Sequence, residues 1–415
     1  MGNYTGYRCS LCGREYGRDE VTYTCPHDGG NLDVVLDFSS LRGTEELGGV
    51  EGSMWAYLPL LPVSDPGYSG TPFRNVGNTP VYQAGKIPSL PQADGRLWVK
   101  DESVNPTASF KDRASALVLA RAMELGGPTV VTASTGNAGA ALAGMAAACR
   151  QKAVIFAPKS APPAKLAQAK VFGAQLVLVD GNYDSAGRLA LEAAEEFGWY
   201  CRNTGYNPFT IEGKKTAAFE IWESVRRGAL PHSEDGPLSL FVPVGDGNII
   251  SGIHKGFKDL ADAGLLHTPP RIYGVQSEGS AAIARAWKTG TEEVREVESD
   301  TIADSISVDM PADGVRALRA VRETGGAYFE VADSQIIDAV ADLGSIGIFA
   351  EPAGAAAFAG YRKALESGSI DAASPVLILN TGSGLKDAAS VQKIDADEII
   401  VEPDLQALKK KLGKR

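Results

Sequence analysis

The chain is poor in the features that would mark it as secreted, membrane-bound or nucleic-acid-binding. Its 415 residues include only five cysteines, too few for a disulfide scaffold in a chain of this length. Two of them, Cys149 and Cys201, are expected to be core thiols, whereas Cys9, Cys12 and Cys25 crowd the N-terminus. No secretory signal opens the sequence, since its first thirty residues are polar and cysteine-bearing, so the chain is expected to stay in the cytoplasm. The longest uncharged alanine-rich run, AGAALAGMAAAC, is too short to span a bilayer and reads as a buried helix. Positive charge is also lacking: a net charge of −11 opposes general affinity for nucleic acid or an anionic membrane. The basic end of the chain, LKKKLGKR, reads as a solvated helix end.

An apolar content of 44% is ample for a core, and the length suits two or three domains. The N-terminal stretch YRCSLCGREYGRDEVTYTCPHDGGNLDVVLDF reads as a ribbon with two glycine-turned knuckles, C-x-x-C and C-P-x-x-G-G. Asp28 stands where a fourth cysteine would fall. A zinc ion would take Cys9, Cys12 and Cys25 with His27 or Asp28 as its last ligand; the alternative is a metal-free ribbon held by its own hairpins. The rest of the chain is expected not to depend on it.

From about residue 95, strand-like runs alternate with helical ones: LWVK, TVVTAS, AVIFAP, QLVLVD, LFVPVG, RIYGVQ and PVLILN. This alternation predicts an α/β fold of parallel sheets covered by helices on both faces. Ligands in such folds bind beyond the carboxyl ends of strands. Four loops lie there: NPTASFKDR, STGNAG, GDGNIISG and NTGSGLKD. Gly245 and Gly247, followed by a helix start, suit a phosphate cradle of backbone amides. Two nucleotide fingerprints are missing. Position 250, where a dinucleotide loop would carry its third glycine, is isoleucine, and no glycine-lysine-serine of a Walker loop is present.

In that order, NPTASFKDR, TASTGNAGAALA, VPVGDGNIISGIHKGF and NTGSGLKD resemble the fold-type II pyridoxal-phosphate enzymes, most of all the threonine synthase family. GNTPVY, WVKDES, NPFTIEGKKTAAFEIWE and EPAGAAAFAG extend the likeness over almost the whole chain. The resemblance implies two lobes, each a mostly parallel sheet flanked by helices, beyond a zinc-ribbon-like extension at residues 1–45. Residues 46–108 and 233–400 would form the larger, cofactor-binding lobe, residues 109–232 a smaller mobile lobe, and residues 401–415 a basic tail. It also implies that Lys111 holds pyridoxal 5'-phosphate as a Schiff base and, once freed, moves the Cα proton. Phe110 would pack on the cofactor ring, Asn137 would bond its ring oxygen, and Thr381 would meet its pyridine nitrogen. The loop Gly245, Asp246, Gly247, Asn248 would cradle the phosphate. Ser134 and Thr135 would face the substrate carboxylate, with Glu351 near the cleft. A homodimer acting on a small amino acid is expected.

The implied reaction converts O-phospho-L-homoserine and water to L-threonine and phosphate. Three positions depart from the family pattern: Ala108 and Ala114 stand where glycines are usual, and Thr210 where an arginine could grip the substrate phosphate. Lys159 and Lys214, with Lys165 and Lys215 nearby, are the candidates to supply that charge. An ammonia-lyase, dehydratase or β-replacement enzyme acting on serine, threonine or a diamino acid is the alternative. A non-enzymatic regulator that merely senses the cofactor is opposed by Lys111 itself and by the acidic charge.

Overall fold

The computed structural model describes residues 3–41, 47, 52–93, 95–234, 236–392, 394 and 398–413. The expected boundary at residues 45 and 46 and the last two residues of the basic tail lie outside them. Three antiparallel strands open the chain, β1 (Tyr4–Cys9), β2 (Glu15–Gly17) and β3 (Leu32–Leu36), in the order β2-β1-β3. Burial alternates along β3, so one face of this small sheet is turned inward. That face is not independent of the rest. Tyr4, Tyr7, Leu32 and Val34 share one hydrophobic core with Phe209, Phe219 and Ile250. The ribbon, expected to be dispensable, is packed into the body.

Strands β4 (Val81–Gln83) and β5 (Leu97–Asp101) begin a larger sheet, and helix α1 (Lys111–Glu124) then leads the chain into a second one. There β6 (Val130–Ala133), α2 (Asn137–Ala148), β7 (Ala153–Pro158), α3 (Pro163–Val171), β8 (Gln175–Val179), α4 (Tyr183–Phe197) and β9 (Tyr200–Cys201) alternate. The four strands run parallel in the order β8-β7-β6-β9. Helices α5 (Phe209–Lys214) and α6 (Thr216–Arg226) return the chain to the first sheet. It is completed by β10 (Ser239–Pro243), α7 (Asn248–Asp262), β11 (Arg271–Ser277), α8 (Ala282–Thr289), α9 (Gly314–Glu323), β12 (Tyr328–Val331), α10 (Asp333–Ser345), α11 (Pro352–Glu366) and β13 (Val376–Asn380). The order is β12-β11-β10-β13-β5-β4, with only the edge strand β4 antiparallel.

The apolar runs explain the layering. Every residue of β7, β10 and β13 is buried, as expected of parallel strands covered by helices on both faces. The carboxyl ends of β5, β6, β10 and β13 each open into one of the four loops singled out in the sequence. Among the described residues no helix is long and apolar enough to cross a membrane.

Candidate active site

Beyond β5 a short turn at Glu102–Val104 is capped by Asp101, whose carboxylate accepts from the Ser103 amide at 3.0 Å. The chain then reverses through Ala108, which has the left-handed φ of 65°. Two backbone bonds fix this turn to the loop after β13. The Phe110 amide donates to the Thr381 carbonyl at 2.9 Å, and the Ser383 amide to the Ala108 carbonyl at 3.1 Å. Lys111, the first residue of α1, is thereby held beside Thr381.

Two residues further, Arg113 anchors the same helix end. Its guanidinium donates from Nε and Nη2 to Glu102 at 2.7 and 2.8 Å, and from Nη1 and Nη2 to Glu220 at 2.6 and 2.8 Å. Lys100 Nζ adds a bond to Glu220 at 2.7 Å, and Thr79 Oγ1 donates to Glu102 at 2.6 Å. All four charged side chains are buried, and each is paired, as charges taken out of water must be. The network joins β5, α1 and α6.

Lys111 opens into a cavity walled by Asn137, Lys214, the loop Gly245–Asn248, Glu351 and Thr381, with Thr204 and Ser305 at its sides. Gly247 caps α7 with φ 87° and no side-chain cap bond, so the first-turn amides of α7 remain as donors for an anion. The loop has no room for side chains. A Cβ at Gly247 would lie 2.8 Å from the Asp313 carbonyl oxygen, and one at Gly245 would lie 2.8 Å from Ile306 Cα. Asn248 Nδ2 donates to Asp313 Oδ2 at 2.8 Å, and Lys214 Nζ donates to Asn248 Oδ1.

Among the described residues Lys111, Lys214 and Arg202 form no ion pair, although the carboxylates Asp246 and Glu351 share the wall. Burial pushes the Lys111 amine down from its ordinary value, and Arg202 pushes it further, against the opposing pull of Asp246 and Glu351. Burial likewise holds Lys214 well below the usual lysine range, with Lys111 and Arg202 adding to the effect. Arg202 is itself lowered to about 10 by burial. Its Nη1 donates to Thr204 Oγ1 at 2.9 Å and its Nε to Ser115 Oγ at 3.2 Å. Nη2 finds no partner among the described residues. Glu351 is raised by burial and accepts from Asn137 Nδ2 at 3.0 Å on both oxygens.

The structure thus brings Lys111, Asn137, Lys214, Gly245, Asp246, Gly247, Asn248, Glu351 and Thr381 into one wall. Ser134 and Thr135 lie in the turn just before Asn137, outside that wall; Ser134 Oγ accepts from the Gly136 amide at 3.2 Å. Phe110 is fully buried beneath the turn. Lys159 does not reach the cavity: its side chain is 69% exposed and lies 3.9 Å from Asp180. Thr210 is buried at the start of α5, donating to the Asn207 carbonyl at 2.8 Å. At the N-terminus, His27 is not a member of the ligand cluster. Asp28 is, together with Cys9, Cys12 and Cys25, because Asp28 repeats the C-x-x-C spacing from Cys25 while His27 falls one residue short. Arg202, Thr204, Ser305 and Asp313 were not legible as site residues. A conspicuous arginine after a two-residue strand was the one available signal.

A lysine amine facing an amide cradle closed to side chains, with Lys214 beside it, fits a phosphorylated aldehyde cofactor. Comparison with known proteins agrees. Residues 73–382 match the family profile described as pyridoxal-phosphate dependent enzyme, and the chain belongs to that family. Among solved structures it resembles the processed form of threonine deaminase isoform 2 from Solanum lycopersicum, with a TM-score of 0.65 and 24% identity over 79% of this chain and 90% of that one. It also resembles maize serine racemase, with a TM-score of 0.62 and 24% identity over 81% and 92%. At this identity they establish the fold alone. Within the class, the chain is a member of the threonine synthase family. It is 36% identical to threonine synthase of Methanocaldococcus jannaschii over 97% of this chain and 98% of that protein. With the Synechocystis enzyme it shares 33% over 87% and 91%.

Proposed function

We propose that the chain converts O-phospho-L-homoserine and water to L-threonine and phosphate, with pyridoxal 5'-phosphate held covalently by Lys111. The observation that carries this reading is the lysine amine, depressed by burial, facing a phosphate cradle with Lys214 beside it. Bound there, the cofactor would supply an electron sink for the charge left when a proton leaves carbon next to the amino group. Lys111 Nζ would take the Cα proton and relay a Cβ proton as phosphate departs from Cγ, and then direct water to Cβ. Asn137 and Thr381 would orient the cofactor ring, and Ser134 and Thr135 would reach the substrate carboxylate when the smaller lobe, residues 109–232, closes. Contacts of the kind closure makes are already present, with Lys165 Nζ 2.7 Å from Asp304 and Asn137 Nδ2 3.2 Å from Ser305.

Two phosphate dianions must be met. The amides after Gly247, with Lys214 alongside, suit the cofactor's phosphate. The substrate's phosphate then falls to the charge of Arg202 through Thr204, because Thr210 is neutral with its hydroxyl donating to Asn207 and Asn248, and Lys159 lies in solvent. The test is a panel of phosphohomoserine, threonine, serine and diaminopropionate, with phosphate, ammonia and keto acid read together. Release of phosphate from phosphohomoserine alone is expected. Thr210, in the place of an expected cation, favours a second reading, a deaminating or β-replacement enzyme; ammonia release without phosphate would establish it. The reading includes a cytoplasmic location, supported by five free thiols, and a homodimer, which light scattering checks.

A further inference from the structure

The ribbon's cysteines take no part in this chemistry, yet their geometry is that of a built site. Its two turns superpose in their bonding. In the first, the Cys9 amide donates to the Arg14 carbonyl at 2.8 Å and the Gly13 amide returns to the Cys9 carbonyl at 3.0 Å. In the second, the Cys25 amide donates to the Gly30 carbonyl at 2.9 Å and the Gly29 amide returns to the Cys25 carbonyl at 2.9 Å. Gly13 and Gly29 close the turns with φ of 74° and 72°. Asp28 therefore occupies in the second turn the place that Cys12 occupies in the first.

The distances agree with a tetrahedral ion. Zinc bonds of about 2.3 Å to sulfur and 2.0–2.2 Å to carboxylate oxygen give tetrahedral edges of about 3.8 Å between sulfurs and about 3.5 Å between sulfur and oxygen. Cys12 and Cys25 Sγ lie 3.8 Å apart, and Cys9 Sγ lies 3.4 and 3.7 Å from the two Asp28 oxygens. All four ligand atoms fall within 4.8 Å of one another. The Leu11 amide donates to Cys9 Sγ at 3.4 Å, a bond that helps orient a thiolate ligand.

The ribbon is also tied to the cavity. Asn31 Nδ2, one residue after the second turn, donates to the carbonyls of Gly205 and of Ala312, the latter at 3.1 Å. Gly205 follows Thr204 of the cavity wall, and Ala312 precedes Asp313, which holds Asn248. Arg319 Nη1 donates to the Ser10 carbonyl, and Arg316 Nη1 reaches Asp33 at 2.8 Å. We propose that Cys9, Cys12, Cys25 and Asp28 bind one structural zinc ion, which fastens the ribbon across the back of the phosphate cradle. Four protein ligands leave no open position for catalysis. The metal site stands without the functional reading; only its effect on cofactor retention rests on it.

Metal analysis of the full-length protein, purified without chelator and then incubated with zinc, is expected to find one zinc per chain. Cobalt(II) in its place should give thiolate charge-transfer absorption in the near ultraviolet and intense tetrahedral bands in the visible. Asp28→Ala should weaken metal binding about tenfold or more, Asp28→Cys should restore it, and His27→Ala should leave it unchanged. The Asp28 variants keep the three thiols, so they test the site even where a cysteine variant fails to fold. Less than about a tenth of an equivalent of zinc would overturn the site, as would His27→Ala weakening binding as much as Asp28→Ala. Stripping zinc with a chelator should then speed loss of the cofactor's visible absorption from the folded protein. Full zinc occupancy with cofactor retention unchanged on stripping would overturn the fastening role while leaving the metal site in place.

Discussion

Lys111 and Arg113 stand two residues apart at the start of one helix, and their surroundings are opposites. Around Arg113 the cations Lys100 and Arg113 face the carboxylates Glu102 and Glu220 at hydrogen-bond distance. Around Lys111 the carboxylates Asp246 and Glu351 share the wall without an ion pair to it; among the described residues Lys214 bonds a neutral amide and Arg202 Nη2 finds no partner. Buried charge that is paired holds geometry; buried charge left over has a field to offer a ligand. The helix end thus carries its support and its chemistry within a single turn.

Removing the amine itself should produce the largest effect. Lys111→Ala is expected to lower turnover about 10⁴-fold or more, roughly 5.5 kcal/mol, with the fold intact by circular dichroism, because Lys111 holds no partner in the paired network. Borohydride reduction of the wild type should label the Lys111 peptide. A label on another lysine would separate the two clusters differently.

Breaking the paired cluster should act on stability instead. Arg113→Met leaves Glu102 and Glu220 buried without their cation and should cost about 3–5 kcal/mol in denaturant unfolding. The same cluster sets an acid limit. Burial alone would raise Glu220, but Arg113 and Lys100 outweigh it and hold the carboxyl at about 2; Glu102 is lowered by the same cations against its burial. A carboxyl depressed in the folded state contributes stability that is complete above its unfolded value, about 4.3, and is lost as pH falls through the folded one. Stability should therefore drop from about pH 4.5 toward 2. In Arg113→Met this acid-dependent loss should shrink, because burial is then less opposed and the carboxyls are no longer held as far below their unfolded value.

The cations of the cavity, which bond neutral groups, should respond in the opposite sense. Lys214→Met and Arg202→Met relieve buried, incompletely paired charge, so the cofactor-free protein should melt no lower than wild type. Ligand binding should suffer by about 2–3 kcal/mol, roughly 30- to 150-fold. Lys214→Met should show it in cofactor affinity and Arg202→Met in kcat/KM for phosphohomoserine, with serine and threonine far less affected. A large drop in cofactor-free melting temperature for either would place it with the structural charges and dissolve the contrast.

Much of this was legible because it is written in residue size and order. Small residues at strand ends, an apolar alternation and a lysine after a polar turn suffice to order the four loops, and the structure places all four at the same ends of their strands. Partner choice among charges is not written that way. Lys100 in WVKDES and Glu220 in AAFEIWE are 120 residues apart in sequence and 2.7 Å apart in space, and no local pattern distinguishes such a pair from two solvated side chains. Arg202 was missed for the same reason, and Lys159 was included because exposure cannot be read from a run of small residues. Asp28 and His27 differ by one position in a turn; the C-x-x-C spacing favours Asp28, and ligand preference for histidine kept both open in the sequence.

Ala108 offers the finest adjustment of the same turn. It holds φ 65°, a conformation that costs an L-residue about 1–2 kcal/mol and glycine almost nothing. The surrounding bonds impose it: the Ala108 amide donates to Asn105 at 2.7 Å, and its carbonyl accepts from Ser383 at 3.1 Å. Glycine, usual here in the resembled family, would remove the strain but lose more freedom on folding, about 0.5–1 kcal/mol. Ala108→Gly should therefore raise stability by about 0.5–1 kcal/mol in thermal and denaturant unfolding. Turnover should stay within about twofold, since neither the Lys111 amine nor the Arg113 pairs depend on the Ala108 side chain. A loss of activity with a gain in stability would mean instead that the strain helps aim Lys111, and that the boundary between support and chemistry lies within the turn itself.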